Sequence, residues 1–420
     1  MGRFIGPAGT SALFTTAGYA AYAASTASRP PLMMFTNNDG FLYALNATNG
    51  TLLWGWAPRE VLPQLQNYST LQTLGQMDGN FSVVDAIDGS GNWGSYVVGS
   101  ALSGANHYSL KLNSNGLPVS QVYDVNVSSG SSPGDKAGAT GATPLHQTPQ
   151  FLYINGKTYA VFVVNSGTSS TLYEVNVANA SDRTSAALPF TLSSAVYVDP
   201  VYNRLWVGSA AGDIWKGTLT ANAVADVAVM SKAASTINPA NNSSAVTPIL
   251  YVGYTEVNGL PYIYAANSAQ ITVYGLSQTG YVPLWAATTA SGYAYGGGSF
   301  AANATLPTLT AGGSMSDAPR VDGTTLTLPM FVPPTGCGTG TGYYNFFNLL
   351  NGRFPTTRMV YNGSVVTANI VVGQGPAFTP SVTVTQQGVA FNPGSAGNLT
   401  PGSPMMMSGR PISPISWKQR

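Results

Sequence analysis

The sequence predicts an all-β protein made of small repeated sheets. Three observations lead there. No run of apolar residues keeps the i, i+3, i+4, i+7 spacing over three helical turns. Short runs of Val, Tyr, Thr, Leu and Phe recur throughout, each bounded by Gly, Asn, Asp, Pro or Ser. The runs also share a grammar: a strand of small and aliphatic residues, a Gly/Asn/Ser turn, then a strand bearing Tyr or Trp. It is visible in PLMMFTNNDGFLYALNA, SYVVGSALSGANHYSLKLN, AVFVVNSGTSSTLYEVNVA, RLWVGSAAGDIWKGTLT and YIYAANSAQITVYGLS. Recurrence at about 40 to 60 residues points to radial repetition, an irregular β-propeller of about seven blades with long loop insertions. Blades packed between neighbours also explain strands that are apolar on both faces.

The elements follow in order. Strands are expected at 31–36 and 41–47, on either side of Asn38-Asp39-Gly40, where Asn-Asp-Gly supplies the positive φ of a tight turn. Gly50 does the same before a strand at 51–56, in which Trp54 and Trp56 share one face. Further strands are expected at 94–98, 107–112, 151–154, 159–164, 171–175, 195–198, 205–208, 213–218, 249–252, 262–266, 270–275, 325–331 and 365–372. The stretches 128–144, 286–316 and 373–404 read as surface loops of one domain, being rich in Gly, Ser, Thr and Pro.

Composition narrows the function. Only 7% of residues are charged, against about 25% for an ordinary soluble protein. Folding is therefore expected to depend little on pH, and the balance suits an extracellular or cell-surface protein. The net charge of +1 and the lack of a basic cluster exclude a nucleic-acid groove. The one cysteine, Cys337, excludes an intrachain disulfide and a Cys-based zinc site. No stretch has the roughly 18 to 20 apolar residues of a membrane helix, so no membrane insertion is expected. Of the two histidines, His107 lies in a strand and His146 near a loop end. No GxSxG, P-loop or HExxH motif occurs, and GTGTG at 338–342 is a turn. Asp85 and Asp88, with Asn92, are read as turn-capping groups rather than a ligand set.

Several landmarks stand in a fixed order. Arg29, Pro30, Asn38, Asp39, Gly40, Gly50 and Pro58 come first; Asp78, Gly79, Asp85, Ala86, Trp93, Val98 and Gly99 follow. Later come APRVDGTTLTLPMFVPPTGCGTGTGYYNFFNLLNGRF and the tail GRPISPISWKQR. This order resembles the C-terminal propeller domain of the PilY/PilC family, the type IV pilus tip and biogenesis proteins. The resemblance implies a non-catalytic role. The domain would dock on minor pilins or the pilus tip complex, support assembly, and aid adhesion to host or abiotic surfaces. Residues 1–28 are then the expected edge of a longer exported precursor, and 29–420 a single propeller domain. The resemblance also implies a calcium loop at VDPVYNRLWVGSAAGDIWKGTL. Here only Asp199 and Asn203 offer side-chain oxygens, Pro200 and Val201 break the spacing, and Arg204 adds a positive charge. Asp199 and Asn203 are thus the candidate remnant of a metal site, and no other cofactor is expected.

Two alternatives remain open. DGFLYALNATNGTLLW also resembles a repeat of pyrroloquinoline-quinone dehydrogenases, which need bound calcium, a catalytic Asp and basic residues around the cofactor. With 15 acidic residues in 420 that set is hard to assemble. The other alternative is a surface-layer or glycan-binding scaffold.

Overall fold

The computed structural model describes residues 2–5, 18–37, 39–59, 61–62, 77, 80–102, 106–126, 149–166, 169–199, 202–244, 247–356, 358–361, 364–385, 388–392 and 405–408. They form seven sheets of four or more strands and one two-stranded ladder. The first four sheets each have four strands in sequential order. Sheet one holds Gly2–Ile5, Leu32–Thr36, Leu42–Asn46 and Leu52–Trp56; sheet two holds Phe81–Ile87, Trp93–Ala101, Asn106–Leu112 and Pro118–Asn126. Sheet three is Gln150–Ile154, Lys157–Ser166, Ser169–Asn176 and Arg183–Ala187; sheet four is Tyr197–Asp199, Arg204–Gly208, Asp213–Thr218 and Ser231–Ser235. Sheet five runs through six strands from Tyr251–Val257 to Ser299–Ala302. Sheet six centres on Thr325–Val332 and Thr341–Asn348, and sheet seven on Arg358–Tyr361, Met405–Ser408 and Gly388–Asn392. The fold is all-β with blade-like sheets, the irregular propeller class that the sequence predicts.

The chain gathers into two compact units, Met1–Ala210 with Trp215–Ser231 and Ala211–Ile214 with Lys232–Arg420. In the first unit the sheets stack face to face in chain order. Strand alternation sends Val97 toward sheet one, where it joins Leu32, Met34, Leu42 and Trp54. It sends Tyr96 and Val98 the other way, to Ala160, Phe162 and Val175 of sheet three. Sheet three in turn packs Leu152, Val161 and Leu172 against Val198, Leu205 and Val207 of sheet four. In the second unit Ile271, Val273 and Trp285 of sheet five meet Leu326, Leu328 and Phe347 of sheet six. The other face of sheet six sets Tyr344 and Phe346 on Met359.

Four features depart from the expected elements. The run 365–372 is not one strand: Ser364–Val365 belongs to sheet seven and Ile370–Gln374 to sheet six, because the chain bends between them. The stretch 286–316 is not a loop but completes sheet five with Gly292–Gly296 and Ser299–Ala302, buried through Tyr293 and Phe300. The stretch 373–404 includes Ser381–Thr385 and Gly388–Asn392, a paired hairpin of sheet seven. The helices Tyr19–Ser25 and Ala223–Ala228 are each too short to show a helical period. The expected loop 128–144 lies outside the described residues.

Gly99 shows how tightly the stack is built. It pairs with Phe81 on one side and Tyr108 on the other. A Cβ there would meet the Tyr108 hydroxyl, its Cζ at 2.6 Å and Phe81 Cβ at 2.9 Å. Gly99→Ala is expected to lower stability by about 1 to 3 kcal/mol through overpacking, read as a lower urea midpoint. Gly89→Ala, which meets nothing within 4 Å, is expected to leave the midpoint within error.

Candidate functional site

Asp85 and Trp93, on adjacent strands of sheet two, and Arg29, from well before them in the chain, converge on the N-terminal helix. Asp85 and Ser95 are direct partners across neighbouring strands of sheet two. Ser95 Oγ donates to Asp85 Oδ1 at 2.7 Å, and the Tyr19 hydroxyl donates to Asp85 Oδ2 at 2.8 Å. The one Ser95 proton is thereby used, so Tyr22 donates to Ser95 Oγ, 2.7 Å away. Arg29 Nη1 donates to the same oxygen at 3.1 Å, while Nε and Nη2 donate to the carbonyls of Ser114 and Asn113 at 3.1 and 3.3 Å. Trp93 lies edge-on to Tyr19 at 4.7 Å and parallel to Tyr22 at 6.3 Å. Burial, with the Asp85 charge adding to it, raises the Tyr22 hydroxyl above its ordinary range. The network thus ties helix Tyr19–Ser25 to sheet two. Tyr19, Tyr22 and Ser95 carry no sequence signal for it.

In the opening hairpin, Asn38 lies outside the described residues. Asp39 accepts from Phe41 N at 3.1 Å and from the Tyr43 hydroxyl at 2.6 Å, and Gly40 turns at φ 95°. Trp54 is buried, its Nε1 donating to the Gly116 carbonyl at 3.0 Å. Trp56 packs on Tyr108 at 5.0 Å. Both indoles face sheet two, so neither is a stacking platform. Asp88 Oδ1 accepts from Ser90 N and Asn92 N at 2.9 and 3.0 Å, a closed turn, while Asp85 serves the helix instead.

The candidate metal residues share one hairpin. Asp199 is buried and faces Arg204 across the ladder; Asn203 turns at φ 53°. Arg204 lays its guanidinium over the Tyr202 ring at 4.4 Å. Asn203 Oδ1 is buried and accepts no hydrogen bond among the described residues. Calcium takes six to eight oxygens, several of them carboxylate. One carboxylate beside a guanidinium does not fit that demand, and the described residues hold no group of three or more His, Cys, Asp or Glu suited to a metal.

A cleft of about 500 Å³ opens among Asn238, Ser244, Asn267, Gln270 and Thr288 of the second unit. Sequence gives no sign of it, since it forms where separate turns meet. Its lining holds no ionisable side chain. Its polar groups are largely occupied: Asn267 Oδ1 accepts from Ala269 N at 2.9 Å, Asn238 Oδ1 from Ala240 N at 3.0 Å and Thr288 Oγ1 from Ala290 N at 3.2 Å. Gln270 Nε2 donates to the Ile237 carbonyl at 3.0 Å. These groups shape turns rather than await a ligand. His107 stacks on Phe162 at 3.7 Å in the core, His146 lies outside the described residues, and Cys337 is exposed.

The network around Asp85 gives a direct test. Tyr19→Phe removes one donor from a buried carboxylate, which costs about 1 to 3 kcal/mol. The expected result is a lower melting temperature and faster proteolytic cutting between residues 18 and 30, at unchanged sheet content by circular dichroism.

No model of a known protein family matches the chain. A stretch of 94 residues is 38% identical to a type IV pilus biogenesis factor PilY1 homolog of Xylella fastidiosa, covering 21% of this chain and 8% of that protein. Among solved structures, the β-propeller domain of Cps50 (Swd1) from Myceliophteria thermophila aligns at TM-score 0.45 and 9% identity, covering 90% of this chain and 94% of that one. BamB from Moraxella catarrhalis aligns at TM-score 0.35 and 12% identity, covering 90% and 83%. The chain thus resembles PilY-type propellers, in sequence over about a fifth of its length.

Proposed function

We propose that the chain is a propeller domain, residues 29–420, of a type IV pilus biogenesis protein, exported as part of a longer precursor. It acts without catalysis, by docking on minor pilins at the pilus tip and so supporting assembly and surface adhesion. The carrying observation is the 38% identity over 94 residues to the PilY1 homolog. The local chemistry supports the reading. The aromatics and carboxylates singled out in the sequence are engaged in packing, turns and the Asp85 network, so recognition falls to edges and loops.

The outer strand Leu52–Trp56 of sheet one is the edge we assign to docking. Among the described residues it is hydrogen-bonded on one side only. Edge strands are usually protected by a charge or a proline. The outer strand of sheet two begins with Pro118, that of sheet three carries Arg183 and that of sheet four Lys232. Leu52–Trp56 has neither, and Leu52 and Leu53 are 57% and 36% exposed. A pilin strand added there would gain main-chain bonds and two apolar contacts.

Capture of purified minor pilins by the full chain tests the function. The expected result is retention that falls at least tenfold in the Leu52→Lys, Leu53→Lys double variant, with melting unchanged. No retention by the native chain, with normal piliation in a strain lacking the gene, would contradict the proposal.

A further inference from the structure

The chain has only 15 acidic residues, and two of them are buried together. Glu174 sits on strand Ser169–Asn176 with no exposed surface, and Asp226 on helix Ala223–Ala228 is 2% exposed. The helix packs on sheet three through strands Ser169–Asn176 and Arg183–Ala187, and Ala223 lies in the apolar core shared by sheets three and four. Asp226 is well supplied with donors: Thr220 N at 2.8 Å and Thr220 Oγ1 at 2.6 Å. Glu174 is not. Apart from Asp226, the one group among the described residues that donates to it is Thr184 Oγ1, to Oε2 at 3.5 Å. Thr184 Oγ1 also accepts from Ala223 N at 2.9 Å, which fixes the helix start over the same spot.

The described elements packed against Glu174 bring no counter-charge to it. Across the ladders it faces Val161 on one side and Thr184 on the other. From the helix it faces Asp226, a like charge. Lys157 and Tyr159, further along the same sheet, are committed to Asp182 at 2.7 and 3.1 Å. Arg183 pairs with Val175, on the opposite face. No cation among the described residues acts on Glu174, so a proton neutralises the pair. Burial first, and the Asp226 charge second, push the Glu174 carboxyl up to about 8.

We propose that Glu174 and Asp226 form a proton-held latch joining helix Ala223–Ala228 to sheet three, closed while the pair keeps one proton and opened by alkali. On opening, the Glu174 O–H gives its proton to hydroxide, leaving two carboxylates in an apolar core. The helix then swings out to hydrate them. A carboxyl raised on folding adds stability that is complete below its ordinary value of 4.5 and is lost as pH rises through about 8.

The test compares native chain and E174Q by thermal and urea unfolding between pH 4.5 and 9.5. Glutamine keeps the shape of the protonated acid and cannot ionise. Relative to E174Q, the native folded-to-unfolded ratio is expected to fall about tenfold per pH unit between 5 and 8, then level off. In D226N the like charge is gone, and the levelling point is expected to move to lower pH. Parallel pH profiles for native chain and E174Q would overturn the latch. So would a D226N profile identical to the native one, which also decides the matter should E174Q fail to fold.

Discussion

The structure depends on one constraint: small sheets with two apolar faces must be stacked face to face to be buried at all. Sheet two shows it most clearly. Trp93–Ala101 is buried at every position but the first, with alternate side chains serving opposite neighbours. A single sheet of four short strands could cover neither face alone. The low charge of the chain follows from the same geometry, since positions that would face water in an ordinary two-layer sheet are here interior on both sides.

Such stacking leaves little room for charge, so each buried ionisable group has a visible consequence. Asp85 anchors the N-terminal helix through Tyr19 and Ser95, and Arg29 reaches the same serine while holding two carbonyls of sheet two. Glu174 and Asp226 have no cation among the described residues and share a proton instead. The contrast is one of donors: Asp85 is satisfied on both oxygens, Glu174, apart from Asp226, on one and weakly. What stacking does not consume on such a scaffold is strand edges and loops, and the proposed docking role is assigned there.

Local features were legible in the sequence because local rules cause them. Gly40 and Gly50 adopt the positive φ their turns require, and every expected strand overlaps an observed one, although 195–198 and 249–252 begin two residues early and 365–372 is split. The tandem sheets were legible from the repeated grammar. What could not be read depends on residues distant in the chain. Asp85 finds its partner 66 positions earlier, at Tyr19. The burial of Glu174 depends on a helix about 50 residues later, although one acidic residue inside an apolar strand run was a usable hint. The run 365–372 misled because apolar content does not reveal where a chain leaves one sheet for the next.

Native-state hydrogen exchange tests the stacking most directly. If sheet two is enclosed between its neighbours, amides of Trp93–Ala101 will exchange only with global unfolding, while those of the outer strand Leu52–Trp56 exchange through local opening. Equal, fast exchange of both strands under native conditions would contradict the account.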